Sequence, residues 1–175
     1  MTFDPTVYGP SIAAILGEGQ RPMPLGPGKP IEEKRRILAG FDSDRDIPNV
    51  QNREAAKACH AGLWLYWDFH DESHAISQDL QTAEGSAWHA ILHRREPDAG
   101  NSNYWWKRVG NHPLFGQLKT QSPAYGYEYS TAAKFIEFCE RVRGTGTTEE
   151  ENAQHVQRLE WQNLFEYCFR LSIVS

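Results

Sequence analysis

The run Leu63-Trp-Leu-Tyr-Trp67 restricts this chain more than any other stretch. Wound into a helix it is apolar on every side, and a helix with no polar face has to pass through the interior of a domain. Helical periodicity extends around it from Asn52 to about Leu80. That predicts one continuous element roughly 40 Å long at 1.5 Å per residue, with Gly62 as its weakest point. A chain of 175 residues with 39% hydrophobic and 12% aromatic content can wrap such a helix in a single core.

The rest of the chain supplies helices to do the wrapping. Pro30 suits the first turn of a helix to about Ala39, stopped by Gly40. A second follows Gly85 to Arg95, halted ahead of Pro97. A third is capped by Asn101 and ended by Gly110. Ser130 caps a helix to about Arg143, and Thr147 with Glu150 forms a capping box for the last one. Tyr125, Tyr127 and Tyr129 alternate like a strand but have no partner, so an extended loop is expected there. Residues 1–30 are proline- and glycine-rich, with only Ser11–Leu16 able to turn helically. Their apolar Tyr8, Ile12, Ile15, Leu16 and Leu25 predict a strap laid over the core. The expected fold is all-α: about six helices in one domain over 31–175, with an irregular strap over 1–30.

Composition removes several classes of function. A formal net charge of -5 argues against a general nucleic-acid binder, which would carry a basic face. No signal-like segment opens the chain, and no apolar run reaches the length of a membrane span. Three scattered cysteines, Cys59, Cys139 and Cys168, fit buried thiols better than a disulfide framework. A cytoplasmic protein with no nucleic-acid or membrane partner is expected. Asp42, Asp44 and Asp46 resemble the start of a calcium loop. Ile47 and Arg53 occupy the positions that need glycine and glutamate, so a solvated acidic turn is expected instead.

Chemistry concentrates between Asp68 and Pro113, where His70 and His74 stand four apart, as do His89 and His93. Helical residues four apart share a face with Cβ atoms about 6 Å apart, close enough for two imidazoles to bind one ion. A turn in Gln81–Ser86 would fold the first pair back level with the second. The candidate metal ligands are therefore His70, His74, His89, His93 and, one turn beyond, Glu96. Nitrogen and oxygen donors suit a divalent transition metal such as zinc, iron, manganese or nickel. Glu72 and His74 are the candidate acid/base pair. Arg94 and Arg95 could hold an anionic small-molecule ligand through guanidinium forks, with Trp67 and His112 completing the substrate-binding set. Trp64, Trp67, Trp88, Trp105 and Trp106 suit the core, and could also wall a pocket floored by histidines.

The segments HDESHAISQDL, SAWHAILHRREPD and YWWKRVGNHP resemble those of a group of uncharacterised bacterial and fungal proteins, over about half the chain. The resemblance implies no activity and transfers no role to any residue. Two functions follow from the residues themselves. The first is a buried His/carboxylate site in a metal-dependent enzyme acting on a small molecule. The alternative is a non-catalytic binding or regulatory protein whose histidines are structural and whose Arg94, Arg95, Glu96 and Asp98 pair among themselves.

Overall fold

The computed structural model describes residues 3–174. It is all-α, with no strand among the described residues, but it contains ten helices where about six are expected. Three short ones, α1 (Pro10–Leu16), α2 (Arg35–Ala39) and α3 (Ser43–Asp46), precede the main body. The body is α4 (Arg53–Tyr66), α5 (His70–Ser77), α6 (Ala83–Arg95), α7 (Ala99–Val109), α8 (Pro113–Gln121), α9 (Ala132–Val142) and α10 (Thr148–Ile173). Asp42 caps α3 by accepting from the Asp44 and Arg45 amides, so the acidic run is a helix start and not a calcium loop.

The expected continuous helix over 52–80 is two helices joined by a sharp corner. The amides of both Trp67 and Phe69 return to the Trp64 carbonyl, and Asp68 adopts φ +65°, a left-handed conformation that aspartate tolerates. Arg21 and Arg95 both hold the Asp68 carboxylate, so tertiary ion pairing stabilises the corner. Gly62 does not break α4. The Trp88 indole lies flat against it, and a Cβ there would sit 2.6 Å from Trp88 Cζ2. The run Leu63–Tyr66 is buried as its pattern requires. Trp67 is only half-buried, its Nε1 donating to the Ile15 carbonyl while Lys34 lies 4.7 Å above its ring.

The 26-residue α10 closes the core against α4, where Trp161 Nε1 donates to the Gly62 carbonyl at 2.9 Å. Its capping box is incomplete. Thr147 accepts from the Glu150 amide, but the Glu150 carboxylate turns to the Gly144 and Gly146 amides. Thr82 caps α6, which places Gly85 and Ser86 inside the helix, and Asp98 replaces Asn101 as the cap of α7. Similarly Thr131, not Ser130, caps α9.

Along the N-terminal segment Tyr8, Ile12, Ile15, Leu16, Met23 and Leu25 are at most 3% exposed. Its proline-rich part forms no secondary structure, so its carbonyls need partners from elsewhere. Side chains of the body provide them: Arg95 donates to Pro24, Gly26 and Pro27, Gln157 to Met23 and Pro24, and the partly exposed Arg143 to Leu25.

Candidate metal centre

Helices α5 and α6 bring three of the four expected histidines together. His74 faces His89 and His93, which lie one turn apart on α6. Ring centroids are separated by 4.5 Å (His74–His89), 4.7 Å (His89–His93) and 5.8 Å (His74–His93). One ligating nitrogen from each lies within 4.8 Å of the other two. A tetrahedral ion with bonds of about 2.0–2.1 Å would hold them roughly 3.4 Å apart, so a shift of about 1 Å per ring closes the site. His89 is 3% exposed and His93 9%, while His74 is partly open to solvent.

A neighbouring group sets the tautomer of His89. Ser77 is fully buried, and its Oγ lies 3.4 Å from the His74 carbonyl and 3.3 Å from His89 Nδ1. A carbonyl can only accept, so the Ser77 hydroxyl proton is directed there. The Oγ then accepts from His89 Nδ1–H, and Nε2 keeps the lone pair. Glu96 stands beside His93 with Oε2 3.0 Å from Nδ1, but the two form no hydrogen bond, and His93 Nδ1 is buried without a partner. Trp105 stacks on His89 at 4.1 Å and restrains its ring. Burial, then the proximity of His74 and His93, pushes His89 down to about 4, leaving it neutral and able to donate to a metal at neutral pH.

His70 does not join them. It is the first residue of α5, beside the Asp68 corner, at the level of Arg95. Both ring nitrogens are buried without a directed hydrogen bond; the Pro27 carbonyl is nearby but poorly aligned. Burial and Arg95 push it down to about 4. Glu72 is also elsewhere. It pairs with Arg35, whose guanidinium covers Phe69, so it forms no acid/base pair with His74.

The substrate-binding candidates are scaffold. Arg94 is fully buried against Glu160 and Gln157 of α10, with its guanidinium over the Phe135 ring. Arg95 is fully buried on Asp68 and four backbone carbonyls. His112 caps α8 through Nδ1, packs on Tyr167 and places Nε2 3.6 Å from Glu84. The mutual network of Arg94, Arg95, Glu96 and Asp98 does not form either, because both arginines point inward to partners remote in sequence. Sequence reasoning missed Ser77. Its spacing of three from His74, on the same helical face, was the available signal.

Compared with known proteins, the chain matches no family model, no curated protein and no solved structure. No helix among the described residues is long and apolar enough to cross a membrane. A groove of about 750 Å³ lies on another face, lined by residues of α3, α4 and α5 but by none of the three histidines. Burial and convergent donors, not concavity, distinguish the histidine cluster.

Proposed function

We propose that His74, His89 and His93 bind one divalent transition metal through three imidazole nitrogens, and that the protein is a metal-dependent enzyme acting on a small molecule. The observation that carries this is the convergence of three ligating nitrogens within 4.8 Å, from two helices, beneath partial solvent access. Three imidazole ligands leave a coordination position free, the ligand count of catalytic zinc sites; structural sites close all four. A metal so held supplies a Lewis acid and lowers the pKa of the water it binds. The chain's own contribution is orientation: Ser77 presents Nε2 of His89, and Trp105 restricts solvent over that ring. Zinc, iron, manganese and nickel all suit the donor set.

The test uses purified protein without a histidine tag. Elemental analysis and calorimetric titration with zinc should give one ion per chain. Cobalt substitution should give the strong visible bands of a four-coordinate site. His89→Gln and His93→Gln should each abolish both signals. Substoichiometric metal, or unchanged binding in both variants, would overturn the proposal. That none of the three histidines lines the 750 Å³ groove supports a second reading, in which the same ion serves binding or regulation without catalysis. Cobalt spectra that do not respond to added anions, showing no exchangeable position, would favour that one.

A further inference from the structure

The groove on the opposite side of α5 has unengaged chemistry of its own. Phe41, Ala75, Ile76 and Leu80 give it an apolar floor, and His60 lines it from α4. His60 is held between two aromatic rings, the Phe41 edge at 5.1 Å and the Trp64 face at 5.8 Å. Its Nε2 lies 3.3 Å from the Leu38 carbonyl, which can only accept, so Nε2 carries the proton and Nδ1 keeps a lone pair. That Nδ1 makes no hydrogen bond and is not sealed from solvent. Burial lowers the His60 pKa, so the ring enters neutral solution as an acceptor.

The rim charges are unequal. Asp42, Glu54 and Asp79 face Arg45 and Lys57. Arg45 is already engaged by Asp46 and the Gly40 carbonyl. Lys57 and Glu54 form no ion pair among the described residues, so the lining carries three carboxylates against two cations, one of which is engaged. Asp79 has no ion-pair partner among the described residues, and Asp42 uses one oxygen to cap α3. A ligand complementary to this surface carries donors and positive charge at one end and an apolar body at the other.

The geometry points to a second ligand site, independent of the histidine cluster: the groove between α3, α4 and α5 binds a small organic ammonium ion. Its ammonium group would donate to His60 Nδ1 and lie beside the Asp79 and Glu54 carboxylates. Its apolar body would cover Phe41, Ile76 and Leu80. The other described cavities support no such assignment. In the one lined by Tyr8, Gln162, Asn163 and Glu166 each of these is already engaged: Tyr8 donates to Glu166, Gln162 to the Gly19 carbonyl and Asn163 to the Gln121 side chain.

The test is an amide-resonance titration of the full chain with phenethylammonium, in chelator so that no metal at the histidines can take up the amine. The neutral and anionic controls are 2-phenylethanol and 3-phenylpropionate. Saturable shifts are expected in residues 39–45, 57–60 and 75–80, with both controls binding at least about tenfold more weakly, the equivalent of 1.4 kcal/mol. Asp79→Asn with Glu54→Gln alters two exposed side chains and should leave the fold intact. The doubly substituted protein should lose most of the preference for the amine. Equal binding of amine and alcohol, or shifts centred elsewhere, would overturn the assignment. So would an undiminished preference in the doubly substituted protein, or no saturation by about 10 mM, beyond the millimolar range of weak ligands.

Discussion

Helix α6 carries two polar clusters side by side, and they are opposites. Arg95 is fully buried with every guanidinium nitrogen engaged, by Asp68 and by the carbonyls of Pro24, Gly26, Pro27 and Leu65. His89 and His93, six and two residues earlier, converge with His74, one ligating nitrogen from each lying within 4.8 Å of the other two. The arginine joins the corner before α5 to the N-terminal strap and is part of what makes the fold. The histidines bring three ligating nitrogens close together, an arrangement that benefits from a cation between them. Polar residues with all bonding capacity engaged are scaffold; polar residues that converge without partners mark a place for a ligand.

The largest effect that would test this contrast is on the scaffold side. Arg95→Met should destabilise by about 3–5 kcal/mol, the range for breaking a buried pair, because Asp68 and four carbonyls lose their donor. Urea unfolding measures it, and a loss under about 1 kcal/mol would mean that the strap and corner hold without Arg95.

His70 lies beside the scaffold corner with both ring nitrogens unengaged, and acts through pH. Its folded pKa is depressed to about 4 from an ordinary value near 6.5. The unfolded chain therefore takes up a proton first as pH falls. Stability is unaffected above about 6.5 and is lost between about 6.5 and 4, by about 2–3 kcal/mol for a shift of this size. The positive end of α5 works in the same direction. Denaturation at pH 7.5 and 5.0 in chelator should show wild type losing more than His70→Gln. Parallel losses would show that His70 titrates normally.

On the site side, Ser77→Ala removes the group that orients His89. The expected outcome is about 10–100-fold weaker zinc binding, the usual consequence of deleting an outer partner of a ligating histidine. Calorimetry gives the affinity; a change below about twofold would remove Ser77 from the site.

The smallest effect is the most discriminating. His93→Gln should change metal-free stability by less than about 1 kcal/mol, since no buried donor or acceptor loses its only partner. Melts in chelator check this. A loss like that of Arg95→Met would make the histidines scaffold and erase the contrast.

How much of this was legible in the sequence differs between the two clusters. The His89/His93 pair and the face it shares with His74 followed from helical spacing and a short turn, both local properties. His70 obeyed the same spacing and still fell outside, because the chain breaks at Asp68, and that break is held by Arg21 and Arg95 from distant segments. The fates of Arg94 and Arg95 were not legible either. Arg-Arg-Glu-Pro-Asp contains matching charges for a surface network, yet Arg94 pairs with Glu160, sixty-six residues away.

By itself the sequence determined the helical class, the burial of Leu63–Tyr66, the apolar side chains of the N-terminal segment and the pairing of histidines along α6. These depend on periodicity and on the conformational limits of proline, which act within a few residues. Only the tertiary structure decided which histidines converge, where the 52–80 helix breaks and which charges are buried. Those outcomes depend on partners brought together across the core, and neither spacing nor composition encodes the distance between them.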